Sequence, residues 1–469
     1  MTPTSAASSA PSAATSATGA ATGAAHGADP RAGLRRQASR ARLLIAVLLF
    51  VTVVINYLDR ANLSVAMPAI ASELELSTGQ QGILLSAFGW TYAALQIPGG
   101  WLIDRVSPRI LYPACLVLWS LATAFMGLAG GFVALICLRL LVGMLEAPAY
   151  PINNRVATTW FPDKERATVI GFYTSGQFIG LALLTPVLTW LQAAFSWHWI
   201  FIVTGGVGVL WGVVWYLVYR EPRASRADEL EIEHIRSGGG LVDLDTEIRA
   251  AERKKKLDAR DFAHVLRSRK LWGIYIGQFC LTSTLWFFLT WFPTYLVDYR
   301  GMDYIKSGFL VSLPYVAALI GVLLSGVVSD GLLRRGRSLG LARKGPIITG
   351  LLLSTAVLGA NFTDDTTWVI VFLSVAFFGN GLASITWSLV SALAPERLLG
   401  TTGGMFNFIG NLSSIATPIV IGFLVSSTSF APGFVYITAV TLLGIASYVF
   451  LVGKVERVAD RPGTAAATA

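Results

Sequence analysis

Charge is what this sequence has least of. Only 13% of its 469 residues are Asp, Glu, Lys or Arg, where a soluble domain carries about 25%. That shortage excludes an ordinary soluble globular chain. With 54% hydrophobic residues and a mean hydropathy of +0.61, it implies an integral membrane protein. Cysteine is also scarce. Cys115, Cys137 and Cys280 stand singly in apolar runs, so they read as small buried side chains, without a disulfide framework or metal-ligand spacing. No nucleophile sits at a workable spacing from a base, and there is no nucleotide loop or metal cluster. An enzyme is therefore not expected, nor is any cofactor or metal. The formal net charge of +9 does not point to nucleic acid, because the basic residues fall in alternate connecting loops, which is a membrane-topology signal.

What is present is a series of apolar segments. They fall near 43–62, 80–103, 110–130, 132–156, 166–191 and 197–219, then 271–297, 306–330, 345–361, 366–393, 402–426 and 431–453. Each is close to the ~20 residues that span hydrocarbon as a helix, and an isolated segment in lipid must satisfy its own backbone polar groups, which a helix does. The expectation is an all-α membrane protein of twelve transmembrane helices in two six-helix bundles, 43–219 and 271–453. Residues 1–42 read as a disordered tail, rich in Ala, Ser, Thr and Gly and lacking a signal peptide's apolar core. Residues 454–469 form a second tail. The linker 220–270 has thirteen basic and eleven acidic residues and is solvated. Within it 227–235 could form a short surface helix, and Arg253-Lys254-Lys255-Lys256 could touch anionic lipid. Basic residues follow the even-numbered spans, with only Arg300 and Lys306 against the pattern. The positive-inside rule then puts the linker and both termini in the cytoplasm, for a monomeric multi-pass protein of the cell (inner) membrane.

The two halves repeat. Gly100-Trp-Leu-Ile-Asp104-Arg105-Val-Ser-Pro-Arg109 ends the second span, and Gly326-Val-Val-Ser-Asp330-Gly-Leu-Leu-Arg334-Arg335 ends the eighth. Such a repeat points to two bundles related by an axis along the membrane normal, with substrate between them near the midplane and one bundle rocking on the other. The Gly-x-x-x-Asp-Arg-x-x-x-Arg pattern resembles the loop signature of the major facilitator superfamily. The resemblance implies that Asp104, Arg105, Arg109 and Asp330 are gate residues that latch the outward-open state. Ser107 replaces the usual glycine, and Gly331 stands where the first copy has Arg105, which weakens the second latch.

Polar residues inside the spans carry the chemistry. Asp59 and Arg60 adjoin at the end of an apolar run. Either the span stops at Leu58 and both reach the headgroups, or they face a cavity, since a mid-membrane charge costs about 2.5–3.5 kcal/mol. Tyr92 and Gln96 share a face of the second span, as do Arg139 and Glu146 in the fourth. Tyr57, Gln177, Gln278, Thr282, Asn380, Ser384, Thr386, Asn407 and Asn411 are neutral. For any one of them interhelical glue is the simpler reading. Trp387 could equally face lipid, and Arg139 with Glu146 could be a structural ion pair. Together they favour a polar chamber whose charges lie in the first bundle and whose second wall is neutral. That suits a ligand with an anionic head and a hydroxylated tail. Arg60 can hold a carboxylate through paired charge-assisted hydrogen bonds, Asp59 and Glu146 are candidate proton carriers, and Trp387 can cover the C–H face of a sugar acid.

Further segments sharpen the resemblance: Asn56-Tyr-Leu-Asp-Arg-Ala-Asn62, Gln96-Ile-Pro-Gly-Gly-Trp101, Glu146-Ala-Pro148, Gly171-Phe-Tyr-Thr-Ser-Gly-Gln177, Ser196-Trp-His-Trp199, Ser283 to Pro293, Phe378-Gly-Asn-Gly381, Ser384-Ile-Thr-Trp-Ser-Leu-Val390 and Gly404-Met-Phe-Asn-Phe408. Across about Leu43 to Arg457 the chain resembles the anion–cation symporter family of that superfamily, in its proton-coupled galactonate branch. The resemblance implies import of D-galactonate or a close hexonate with protons. Asp59 and Glu146 would be protonated, and Arg139 would set the charge state of Glu146. Arg60 would contact the substrate carboxylate or pair with Asp59. Tyr57, Tyr92, Gln177, Gln278, Ser384, Thr386, Trp387 and Asn407 would line the site. Glucarate, galactarate or tartrate remains an alternative substrate, and a sugar-acid receptor that moves nothing is a further one.

Overall fold

A computed structural model describes residues 30–96, 98, 102, 106–225, 227–242, 263, 265–395, 398–426 and 428–459, with the side chains of 30–40, 163, 167, 399 and 400 set aside. Among the described residues the chain is helical and has no strand. The first half contains α1 (Pro30–Glu73), α2 (Thr78–Ala94), α3 (Pro108–Met126), α4 (Phe132–Trp160), α5 (Asp163–Ala194) and α6 (Trp197–Val218). The second contains α7 (Arg269–Thr290), α8 (Tyr304–Arg334), α9 (Leu339–Asn361), α10 (Thr366–Leu393), α11 (Thr401–Leu424) and α12 (Ala431–Leu451). Eleven of these are long and apolar enough to cross a membrane. The exception is α2, 17 residues long, because part of the 80–103 segment lies outside the described residues.

Local sequence sets where the helices begin. Ser77 caps α2 in a reciprocal box with Gln80, and Ser107 caps α3 ahead of Pro108. Asp303, Ser338 and Asp365 accept backbone N–H groups at the starts of α8, α9 and α10. Side-chain oxygens at these positions satisfy donors a helix start leaves free.

α1 does not stop at Leu58. It runs on to Glu73, and Asp59 and Arg60 are buried, so the reading in which both charges reach the headgroups fails. Three of the described helices break mid-span, α11 among them at Leu412. α4 is interrupted at Ala147-Pro148, between Phe132–Glu146 and Ala149–Trp160. α10 tightens to a 3-10 turn over Ala383–Thr386. Irregular backbone at membrane depth is tolerated where it lines a cavity.

The described termini and the linker lie at one end of the molecule, the near end. At the far end the bundles close on each other through α2 with α11 and α5 with α8. Gly82 makes the first contact possible: a Cβ there would stand 2.5 Å from the Pro418 carbonyl oxygen and 3.2 Å from Gly422 Cα. Gly308 packs directly on Thr189 in the same way. The near-end part of α11, up to Asn411, barely touches α2, so the space between the bundles opens toward the near end.

The linker helix forms at Glu229–Ser237, two residues beyond the expected 227–235. It is more than a surface helix, because Ile235 and Glu231 are buried against the first bundle. Arg42 at the base of α1 reaches Glu165 at 2.7 Å and Glu231 at 3.4 Å. The Arg253–Lys256 run lies outside the described residues.

Candidate functional site

Between the bundles lies a cavity of about 580 Å³. α1, α2, α4 and α5 wall it on one side, and α7, α10 and α11 on the other. The breaks in α4 and α10 bring Tyr150 and Asn154, and Ser384 and Thr386, to its surface. All nine side chains expected to contact substrate line this one cavity: Tyr57, Arg60, Tyr92, Gln177, Gln278, Ser384, Thr386, Trp387 and Asn407.

Arg60 is the charged member of that lining among the described residues. Its Nε and Nη2 donate to Glu146 Oε1 at 2.9 and 2.6 Å, and Asn56 Nδ2 donates to the same oxygen at 3.1 Å. Glu146 Oε2 has no partner among the described residues. The guanidinium carbon lies 4.8 Å from the Tyr57 ring centre, 4.9 Å from Tyr92 and 5.1 Å from Phe88. These rings exclude water and favour the cation over their faces. Arg60 therefore pairs with Glu146, where the resemblance offered the substrate carboxylate or Asp59. The reason is helical geometry: adjacent residues on a helix point about 100° apart, so Asp59 cannot face its neighbour.

Asp59 and Glu146 are both buried, and neither lines the cavity. Asp59 turns into the first bundle, where Trp119 Nε1 donates to its Oδ2 at 3.0 Å. Arg139 grips main chain: Nη1 donates to the Asp59 carbonyl at 2.8 Å and Nη2 to the Arg60 carbonyl at 3.3 Å. A guanidinium that anchors the Asp59–Arg60 turn of α1 in this way holds both side chains in place. Its contact with Glu146 is electrostatic, without a hydrogen bond among those described.

The second wall is neutral. Thr386 Oγ1 donates to Gln278 Oε1 at 2.8 Å, leaving the Gln278 amide N–H groups without that partner. Asn380 turns its amide to the Leu281 carbonyl at 2.8 Å and helps hold α10 to α7. Asn407 Nδ2 reaches Gln96 Oε1 at 3.5 Å across the bundles. Trp387, 49% exposed, lines the cavity and packs edge-on against Phe406.

Sequence reasoning assigned no role to Tyr150, Trp286 or Phe88. Tyr150 reaches the cavity because of the Pro148 break, a signal present in Glu146-Ala-Pro148. Phe88 precedes Tyr92 by one helical turn and stacks on it, and the same spacing rule that paired Tyr92 with Gln96 would have found it.

The gate motif is partly described. Asp104 and Arg105 lie outside the described residues. Arg109 places its guanidinium 5.6 Å from the Tyr216 ring centre, and Ser107 donates to Glu221 at 2.9 Å. Asp330 meets Arg343 at 3.6 Å, within its own bundle.

Residues 49–418 match the family model of the Major Facilitator Superfamily. The chain is 53% identical over 421 residues to the D-galactonate transporter of Escherichia coli O6:H1, covering 90% of this chain and 97% of that protein. It is 41% identical over 428 residues to a probable galactarate/D-glucarate transporter of Bacillus subtilis, covering 90% and 94%. Its fold is similar to that of a bacterial homologue of the human lysosomal transporter Spinster in an inward-facing, unoccupied crystal structure. There the TM-score is 0.63 at 20% identity, over 88% of this chain and 95% of that one.

Proposed function

We propose that this chain, which belongs to the Major Facilitator Superfamily, imports D-galactonate together with protons by alternating access. The relatives and the fold are those of multi-pass membrane transporters and not of enzymes. The galactonate assignment draws on the relative of that name. The observation that carries the reading is a cavity whose described lining has one cation, Arg60, facing a neutral wall of amides and hydroxyls.

The Arg60–Glu146 pair supplies the coupling. A buried carboxylate that loses its guanidinium is left as an uncompensated charge, at a cost of about 3–5 kcal/mol. Arg60 can therefore leave Glu146 for a substrate carboxylate only if Glu146 loses its own charge. A proton on Glu146, where Oε2 is bare, accomplishes that. The sugar-acid carboxylate takes the two N–H groups, and Gln278, Ser384, Thr386 and Asn407 read hydroxyls while Trp387 covers a C–H face. One anion with one proton leaves the membrane charge unchanged. A second proton, on Asp59, would add about 2.3 kcal/mol per 100 mV.

In this reading the near end is cytoplasmic, with both termini and the linker there, and the membrane is the cell inner membrane. The bundles 43–219 and 271–453 are the rocking bodies of a monomer. The pose described has the far, outer end closed and the cavity open inward. Asp104, Arg105, Arg109 and Asp330 belong to the near-end closure of the opposite state.

Uptake of labelled D-galactonate into proteoliposomes under an inward proton gradient tests the reading. Accumulation above empty vesicles is expected, and none would end it. The second reading is a diacid such as galactarate or glucarate, favoured by the 41% identical relative. A diacid needs a second cation, and Arg60 is alone in the described lining. In a competition panel monoacid hexonates should displace the label and diacids should not.

A further inference from the structure

Buried hydroxyls in this protein's helices usually bond back to their own backbone. Thr52 donates to the Leu48 carbonyl at 2.7 Å and Thr185 to that of Leu181 at 2.6 Å. Ser120 and Thr123 of α3 do not. Both are fully buried, and neither hydroxyl has a partner among the described residues. The same holds for Asp59 Oδ1 and Asn62 Oδ1 on α1.

Contacts bring Asp59, Asn62 and Ser120 to one seam between α1, α3 and α6, and the helical period puts Thr123 on the same side of α3. Trp119 Nε1 bonds Asp59 Oδ2 at 3.0 Å and so lays α3 against this face of α1. Asn62 is one turn beyond Asp59, and Thr123 one turn beyond Trp119, in the same direction along two parallel helices. α6 closes the third side. Thr204 Oγ1 accepts from Asn62 Nδ2 at 3.3 Å, and Gly208 packs directly on Ser120. None of Asn62, Ser120, Thr123 or Thr204 lines the substrate cavity. Beyond Thr204, toward the far end, Phe201 and Trp197 seal the seam.

An unsatisfied buried polar group costs about 1–3 kcal/mol, and native interiors satisfy nearly all of them. Among the described residues no side chain bonds these four atoms. Two bare acceptors one turn apart, Asp59 Oδ1 and Asn62 Oδ1, match the two donors of a water molecule. The Ser120 and Thr123 hydroxyls can give or take a further bond.

We infer that this seam holds ordered water and is the route by which protons reach Asp59 from the far side, separate from the sugar-acid cavity. The inference rests on the transport reading above. The groups that face Asp59 are the Trp119 indole, the Arg139 guanidinium on its main chain, and the Arg60–Glu146 pair one helical step away. The seam enters between α1, α3 and α6, so a proton can arrive without crossing the Arg60 site. The Phe201–Trp197 seal is closed in the pose described.

The test compares wild type with Thr123→Val, Asn62→Leu and Thr123→Ser in proteoliposomes. Two rates are read: gradient-driven uptake, and counterflow exchange of labelled D-galactonate at equal pH, which needs no net proton movement. Thr123→Val and Asn62→Leu should slow driven uptake about tenfold and leave counterflow within about twofold of wild type. Thr123→Ser should restore the driven rate. Equal losses in both assays, or no loss in either, would overturn the inference and make the seam a packing feature. Wild-type counterflow without gradient-driven uptake would overturn proton coupling itself, and this route with it.

Discussion

Arg60 turns two N–H groups onto a single oxygen of Glu146, at 2.9 and 2.6 Å, and leaves the second oxygen of that carboxyl bare. The first bundle thereby holds a cation at the wall of the cavity whose present counter-ion comes from behind. In the mechanism proposed above, substrate and Glu146 compete for one guanidinium, and a proton on Glu146 decides the competition.

Replacing Arg60 by lysine keeps the charge but not the planar fork. A point charge cannot make two parallel bonds to a carboxylate. Arg60→Lys should weaken D-galactonate binding about 10- to 100-fold, read by tryptophan fluorescence or calorimetry. Arg60→Ala also leaves Glu146 buried without its partner, at about 3–5 kcal/mol, and should lower thermal stability as well as binding. Unchanged affinity in Arg60→Lys would remove Arg60 from the carboxylate site.

Asp59→Asn retains an oxygen to accept the Trp119 N–H and removes the capacity to carry a proton. Packing is therefore conserved. Concentrative uptake under a proton gradient should be lost while exchange at equal pH persists. Full accumulation by the variant would strike Asp59 from the coupling groups.

Gly82 sits where α2 crosses α11 at the far end. Gly82→Leu would drive a side chain into the Pro418 carbonyl, which the packed contact cannot accept. Overpacking of this kind costs about 1–3 kcal/mol, or about 5- to 150-fold in the ratio of far-end-closed to far-end-open molecules. Spin labels at Ser72 and Thr428 should report longer distances in the variant. An unchanged distribution would show that this crossing does not gate the far end.

The linker helix carries a pH dependence of its own. Burial raises the Glu231 carboxyl above its ordinary 4.5, and Arg42 only partly offsets this. A carboxyl with a raised value in the docked state favours docking below 4.5 and loses that contribution as pH rises through the raised value. Hydrogen-exchange protection factors over Glu229–Ser237, corrected for intrinsic rate, should be larger at about pH 5 than at about pH 7. Glu231→Gln should flatten the difference. Greater protection at the higher pH would show that the Arg42 ion pair dominates.

Much of this was legible in the sequence, for physical reasons. Twelve apolar stretches, their basic flanks and the Asp104/Asp330 repeat are properties of single segments, and single segments read well. The cavity residues were legible as types: Gln278, Ser384, Thr386, Trp387 and Asn407 are expensive to place in lipid unless something polar faces them. Pairings were harder. Asp59 and Arg60 adjoin in sequence, yet the helix turns them to different neighbours, and Arg60 meets Glu146 from 86 residues away. Only the packing of α1 on α4 decides that. The extent of α1 was also hidden, since two charges mimic a helix end until their partners are known. The linker helix buries Glu231 against Arg42, which no local pattern shows.

Protons taken up on binding report directly on whether Glu146 is neutralised. Calorimetric titration of D-galactonate in buffers of different ionisation enthalpy gives the number taken up per substrate bound. Net proton uptake is expected of the wild-type protein, and about one proton fewer in Glu146→Gln with binding retained. The same proton count in both proteins, or none in the wild type, would contradict the claim that Glu146 must be neutralised before Arg60 can take the substrate.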